Sequence, residues 1–273
     1  FIRAALKTSW ETIHIATAIE EVALPRFIAQ KEMKHLLRLI EIIFEYRHQA
    51  DEMVFEEYTS RIEPYWIGEI LKGRTKEIAE ICGHEAAEVA LEKIHQITTC
   101  DSNQFNHVWI PAIEKEGFYD RFDVRIIEFV RTIFENSDPK SLRGTVEELI
   151  HEEHPIFNRI AIHTINYHYD TLKEIFWSLE YNPIVKYQLD HEVSELFKAR
   201  CVSFSQEEIT RAVRWIDEKS APDHIDPAQR ELHTACARKW WLSTIIETGD
   251  PGVRELYNKY NEIMDYMNEN YEK

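Results

Sequence analysis

Two histidines flank a pair of glutamates in the segment His151-Glu152-Glu153-His154, which has the residue types of a zinc site. Zinc peptidases place two histidines four residues apart on one helix, so that both imidazoles and a glutamate base share a face. Here the histidines are three residues apart, and Pro155 follows directly and interrupts the helix. The segment therefore predicts a charged helix end, where histidine suits the C-terminal dipole, in preference to a metal site.

A second histidine-rich region comprises His163, His168 and His191, the last of which is flanked by Asp190 and Glu192. His163 lies among isoleucines of an apolar helical segment, where a histidine commonly serves as a core residue that bonds a carbonyl. The hypothesis that competes with this packing role is an α-helical, metal-dependent enzyme that uses these histidines, together with His151, His154 and nearby carboxylates.

The common motifs of catalysis and phosphate binding are missing from the sequence. It contains no G-x-x-x-x-G-K-[ST] loop, no G-x-G-x-x-G turn after a strand and no G-x-S-x-G elbow. With only 7 glycines, the chain has little material for a phosphate-binding loop. We therefore predict no catalytic residue, no metal site and no cofactor.

Helical periodicity is the strongest pattern in the chain. In residues 25–46, apolar side chains recur at three- and four-residue spacing, which places them on one face of a helix. No run of alternating strand residues is evident. The pattern returns in ten further segments, at residues 66–82, 85–97, 124–134, 142–150, 156–169, 172–179, 184–197, 209–216, 232–246 and 253–267.

These helices are joined by short polar connections, as in stacked antiparallel helix pairs. We therefore predict an all-α fold over residues 1–273: an irregular HEAT/TPR-like α-solenoid without a strict sequence period. Predicted helix ends carry matching capping residues. They are Asp226-Pro227 and Asp250-Pro251 as N-cap and first residue, Ser205 to Glu208 as a capping box, and Gly83 and Gly249 as C-caps.

Four aromatic side chains are candidates for contact with a partner. Trp240 and Trp241 are adjacent, and neighbouring helix positions point about 100° apart, so either one indole enters the core and the other reaches a surface, or both pack in the core. Phe105 and Trp109 lie in the longest connection, residues 98–123, near which we also predict an internal boundary. Either these two rings contact a partner or they fill the gap between helix pairs.

Charge and cysteine usage restrict the partner and the compartment. Asp and Glu outnumber Lys and Arg by 49 to 32, so a formal charge of −17 opposes binding to nucleic acid or anionic lipid. The four cysteines form no C-x-x-C pair, and no apolar run is long enough to span a membrane. These features predict a cytoplasmic protein whose partner is another protein. Because the first residue is Phe1, we also expect a fragment of a longer chain.

Two segments are similar to a known family. Residues 106–114, NHVWIPAIE, resemble a Trp-x-Pro-Ala-Ile-Glu-like segment, and residues 154–163, HPIFNRIAIH, resemble a small-Pro-x-Phe-x-Arg-x-Ala-hydrophobic-His segment. Both resemble the helical-repeat regions of large bacterial STAND-type P-loop NTPases, including antiphage proteins of the Avs kind. The similarity in layout covers residues 66–218.

The resemblance implies a sensor array that recognises a phage protein and triggers oligomerisation through an ATPase and an effector located upstream. This chain has no P-loop, so no catalytic residue is carried over. The matched residues have a structural role by this resemblance; they are Trp109, Pro111, Glu114, Pro155, Phe157, Arg159 and His163. The leading hypothesis is thus a protein-binding module, and the alternatives are the metal-dependent enzyme and a purely architectural scaffold.

Overall fold

The computed structural model describes residues 12–51, 54–101, 103–106, 108, 110, 112–115, 120–222, 224–227 and 229–271. Within these residues the fold is mostly helical, as predicted. The α-helices are α1 Thr12–Ala18, α2 Leu24–Ala29, α3 Met33–Ile43, α4 Pro64–Leu71, α5 Thr75–Cys100, α6 Phe122–Glu135, α7 Pro139–Leu149, α8 Pro155–Tyr167, α9 Tyr169–Trp177, α10 Asp190–Arg200, α11 Gln206–Asp217, α12 Arg230–Thr244 and α13 Pro251–Tyr271.

Shorter elements complete the architecture. A π-helical turn, Ile19–Ala23, joins α1 to α2. The 3₁₀ turns are Pro183–Val185, Tyr187–Leu189, Cys201–Ser203 and Ile246–Thr248, and the strands are β1 Tyr46–Asp51 and β2 Val54–Ser60. None of the helices in the described part of the chain is both long and apolar enough to cross a bilayer.

The chain forms two compact units, one reaching to Thr171 and the other starting at Leu172. The two helices that flank residues 98–123, α5 and α6, both belong to the first unit and pack against each other. The predicted boundary near residues 98–123 stays a prediction.

The first unit is built around the α5–α6 pair. Helix α3 packs on α5, and α6 contacts α8 and β2. Phe44, at the end of α3, is fully buried and lies 5.0 Å from Phe129 of α6, ring centroid to ring centroid. The apolar stripe of each helix therefore meets a neighbour, as the amphipathic pattern requires.

An asparagine fastens the α7–α8 hairpin. Asn158 of α8 is 1% exposed, and its Nδ2 donates to the carbonyl oxygens of Leu149, Ile150 and Glu152 at 3.1, 3.0 and 3.0 Å. These carbonyls follow the end of α7, where intrahelical donors run out. A polar core residue thus satisfies the end of one helix from the next.

The β-hairpin is the main departure from the predicted all-helical chain. His48 of β1 pairs with Tyr58 of β2, and their rings lie 4.8 Å apart. The side chain of Gln104 binds the outer edge of β2, accepting from the N–H of Tyr58 at 3.3 Å and donating to its carbonyl at 3.4 Å. Glutamates interrupt the aromatic and β-branched residues of β2, so the alternation was too weak to predict a strand.

Several predicted helix boundaries need correction. The predicted helix at 25–46 is broken at Lys31, which has a positive φ of 51°. A helical segment does end beside Gly83, because the backbone of Cys82 is non-helical and divides α5 there, but Gly83 lacks the positive φ of a C-cap glycine. A Cβ at Gly83 would lie 2.8 Å from Oγ of Ser137, so glycine permits this close approach. Asp226-Pro227 precedes α12 in a turn, and the helix starts only at Arg230.

Other boundaries are confirmed. Ser205 and Glu208 form the complete capping box of α11. Gly249 adopts the left-handed conformation, with a φ of 73°. At the start of α13, the carboxylate of Asp250 accepts from the N–H of Val253 at 3.0 Å.

Candidate functional site

A cluster of aromatic rings forms the core of the second unit. Trp177 is parallel to Trp215 of α11, with ring centroids 5.6 Å apart, and to Phe197 of α10, at 6.1 Å. Phe176 meets Phe197 and Trp215 edge-on, at 6.2 and 5.6 Å. All four rings are buried, so α10 and α11 are fixed against one packed aromatic surface.

Helix α12 adds the tandem tryptophans to this cluster. Trp241 is 1% exposed and meets Phe197 edge-on at 6.0 Å, while the ammonium group of Lys219 lies 6.0 Å from its ring centroid. Trp240 is 46% exposed and stands edge-on to Trp241, with centroids 4.8 Å apart. The division of the two indoles between core and surface is thus confirmed, and the ring at the surface is Trp240.

Polar contacts of Arg238 also hold α12 in position. Arg238 donates to the carbonyl of Lys219 at 2.8 Å, to a carboxylate oxygen of Asp217 at 3.0 Å and to the hydroxyl of Tyr260 at 3.0 Å. These bonds connect α12 to the end of α11 and to α13. The exposed indole of Trp240 therefore projects from a helix that is braced by three neighbouring segments.

The residues that share a helix face with Trp240 define a surface, which we call the Trp240 face. It consists of His233, Cys236, Trp240 and Ser243, which are spaced three or four residues apart. Cys236 is half-buried and the other three are exposed. The face combines one large apolar ring with small or neutral polar side chains, so a partner could cover it without burying an unpaired carboxylate.

The other predicted contact residues are placed differently. Phe105 is 1% exposed, which favours the interpretation that it fills a gap in the first unit. Trp241 is likewise buried, and Trp109 lies outside the described residues. Of the four aromatic candidates, Trp240 is the one with a described, accessible ring.

Two histidines of the first unit, His163 and His168, have partners on α6. His163 Nε2 lies 2.9 Å from a carboxylate oxygen of Glu135, and His168 Nε2 lies 2.9 Å from the carbonyl oxygen of Phe134. Both contacts attach α8 and the residue after it to the end of α6. The predicted carbonyl partner is therefore found, but at His168, whereas His163 pairs with an acid.

The predicted charged helix end at His151 and His154 is found only in part. His151 is exposed and follows the end of α7. His154 instead caps the start of α8, because its Nδ1 accepts from the N–H of Ile156 at 3.3 Å. An imidazole that accepts a hydrogen bond at Nδ1 is unprotonated there. This role differs from the expected interaction of a charged histidine with a helix C-terminus.

In the second unit, Asp190 and Glu192 lie in the first turn of α10, with His191 between them. Asp190 accepts from Lys219 at 3.4 Å, and Lys219 also donates to the carbonyl of Ile184 at 2.6 Å. Burial raises the pKa of Asp190 above its ordinary value, although Lys219 acts in the opposite direction. Asp190 thus fastens the start of α10.

A further exposed apolar pair was missed from the sequence. Residues 184–197 were predicted as one helix, but their first part forms two 3₁₀ turns in which Val185 and Tyr187 are 53% and 61% exposed. Asn182 directly precedes these turns, and its side-chain amide donates to the carbonyl of Trp215 at 2.8 Å. Pro183 gave no warning, because proline is compatible with a helix that starts at this position.

Comparison of the chain with family models, with curated proteins and with solved structures finds no match. The functional argument therefore depends on the residues and their geometry.

Proposed function

We propose that this chain is a protein-binding helical module and that Trp240 is its principal contact residue. The observation that carries this proposal is an indole that is 46% exposed yet held edge-on against the buried ring of Trp241. Tryptophan is enriched among the residues that dominate binding energy at protein interfaces. A ring that is already positioned loses little conformational freedom on binding, so more of its contact energy appears as affinity.

We further propose a specific setting for this module. In this proposal it is the HEAT/TPR-like sensor part of a cytoplasmic STAND-type NTPase, where it recognises a phage protein and the parent protein oligomerises. The resemblance of residues 106–114 and 154–163 to that family supports the setting. The formal charge of −17 supports a protein partner over nucleic acid.

The histidine pattern gives weaker support to a metal-dependent enzyme. The Nε2 atoms of His163 and His168 are engaged by Glu135 and the carbonyl of Phe134, and Nδ1 of His154 accepts a backbone N–H. A metal ion would have to displace these contacts to use the same nitrogen atoms. Stoichiometric zinc, iron or manganese in the purified protein would favour the enzyme hypothesis nonetheless.

The test is a binding screen of the folded chain against purified phage structural proteins by biolayer interferometry. Trp240→Ala is expected to weaken the interaction by about thirtyfold, which corresponds to the ~2 kcal/mol of an interface hot spot. Tyr167→Ala is the matched control, because Tyr167 is 52% exposed and stands edge-on to His168 at 4.9 Å. It should leave the affinity unchanged.

Two outcomes would count against the proposal. If no phage protein binds the folded chain, the sensor setting is rejected and an architectural role is favoured. If both alanine variants reduce binding equally, the interaction does not depend on the Trp240 face.

A further inference from the structure

A cavity of about 380 Å³ lies in the first unit, between α4, the turn that follows it and the middle of α6. Cavities that bind small ligands in proteins typically measure about 300–1,000 Å³, so this one suits a small molecule. The charged side chains that line it are Glu69, Lys72, Lys76, Arg125, Glu128 and Arg131.

Positive charge exceeds negative charge on the cavity wall. Glu69 is 3.5 Å from the ammonium group of Lys72, and Glu128 is 2.7 Å from the guanidinium of Arg125, so each lining acid has a lining cation as its partner. The two lining cations that are not paired with a lining acid are Lys76 and Arg131. Lys76 makes no ion pair with any residue that the structure describes, so one lining cation is uncompensated.

The two arginines are held from outside the cavity. Arg125 also donates to Asp120, and Arg131 donates to the carbonyl of Ile113 at 3.0 Å, with its Nε 4.0 Å from Glu135. Asp120 and Glu135 reduce the net local charge, but they do not line the cavity. These contacts restrict the guanidinium groups of both arginines, as the supporting residues of a binding site do.

The backbone of α4 allows Arg125 to lie close to it. A Cβ at Gly68 would be 3.1 Å from both Cζ and Nε of Arg125, so an alanine there would press on the guanidinium. Burial lowers the pKa of Arg125, but its hydrogen bonds with Asp120 and Glu128 outweigh that effect and raise it. Arg125 therefore stays charged beside the cavity.

The first turn of α5 adds donors to this wall. The turn before it has Gly73 at a φ of 69°, and the N-cap residue Arg74 provides no side-chain cap. The hydroxyl of Thr75 donates back to the carbonyl of Leu71 at 3.1 Å. Thr75 and Lys76 of this first turn line the cavity, so the positive end of the helix dipole lies at its wall.

We propose that this cavity binds the phosphate group of a small phosphorylated molecule. Guanidinium and lysine ammonium groups are the side chains that proteins use for phosphate, and Lys76 offers a lining charge that no described carboxylate pairs with, whereas Arg131 is shared with Glu135. The cavity shares no residue with the Trp240 face, so it adds a ligand to the protein-binding role proposed above.

The experiment measures binding of inorganic pyrophosphate to the full chain by isothermal titration calorimetry. The wild type should bind one pyrophosphate per chain, and Lys76→Glu should weaken binding on the order of tenfold or more through charge reversal at the cavity. Lys140→Glu is the matched control: it changes the net charge equally, at an exposed position of α7 that is not part of the cavity. Its affinity should equal that of the wild type.

Acetate and glutamate form a second arm, which distinguishes phosphate from carboxylate ligands. We expect acetate and glutamate to bind much more weakly than pyrophosphate. The proposal is overturned if the wild type fails to bind pyrophosphate at millimolar concentration, if both glutamate variants lose binding equally, or if the carboxylates bind as tightly. Far-UV circular dichroism of each variant establishes that the helices are intact.

Discussion

The tandem tryptophans allow a direct test of the packing of the second unit. Trp241 is 1% exposed, and truncating a fully buried tryptophan to alanine typically costs ~3–5 kcal/mol of stability. Trp240 is 46% exposed, so its truncation removes roughly half of the contact area of a buried indole, about 100 Å². At ~25 cal/mol per Å² this area sets an upper bound, and we expect a loss of ~1–2 kcal/mol.

Urea unfolding followed by far-UV circular dichroism measures both losses. The comparison requires that the two alanine variants keep the slope of the wild type, because a changed slope would indicate a different unfolding reaction. Trp241→Ala should be the less stable variant by at least about 1 kcal/mol. If Trp240→Ala is equally or more destabilised, the assignment of the buried and the exposed ring is wrong.

Three further results are expected. Asn158→Asp should lower the free energy of unfolding by ~2–4 kcal/mol, because a carboxylate would face three carbonyl oxygens, whereas Asn258→Asp, at an exposed position of α13, should change it by less than ~0.5 kcal/mol; denaturant titration of both decides this. Burial raises the folded-state pKa of Asp190 above its ordinary 3.8, so the folded state binds the proton more tightly than the unfolded state does. The free energy of unfolding should therefore fall as the pH rises from 3.8 through the raised pKa. An equal fall in the Asp190→Asn variant would contradict this. Burial raises the pKa of Cys82 to about 11, so iodoacetamide should modify the exposed Cys100 first and reach Cys82 only on unfolding, as mass spectrometry of timed samples would show; early modification of Cys82 would be inconsistent with the fold.

Helices with a continuous apolar stripe were predictable from sequence. The segment predicted at 124–134 is α6, Phe122–Glu135, and the segment predicted at 142–150 is α7, Pro139–Leu149. In both cases the periodic apolar residues are those that the structure buries, because one stripe has to be removed from water whatever the neighbour is.

The segment 184–197 shows why local pattern was not sufficient elsewhere. Its apolar spacing is compatible with a helix, yet the first part forms 3₁₀ turns. Those turns are stabilised by Asn182, which donates to the carbonyl of Trp215, and by Lys219, which donates to the carbonyl of Ile184. Each of these bonds joins residues more than 30 positions apart in the chain, so spacing within the segment contains no sign of them.

The candidate sites also combine features that a local sequence pattern indicates with features that depend on residues far apart in the chain. The 100° rotation between adjacent helix residues indicated that the tandem indoles are hard to bury in one direction, but it left open whether one or both of them pack in the core. Which of them is buried depends on Phe197 and Lys219, which come from other segments. The cationic cavity joins residues near Lys72 to residues near Arg131, so counting glycines or searching for a phosphate-binding loop could not reveal it.

Site-specific photocrosslinking tests the central claim, that Trp240 marks a protein-binding surface, most directly. A photoreactive phenylalanine analogue would replace Trp240 in one variant and Tyr167 in another, in phage-infected cells that produce the chain. We predict one dominant protein adduct from position 240 and none of that mass from position 167. The same adducts at both positions, or no adduct at 240 in the folded chain, would contradict the claim.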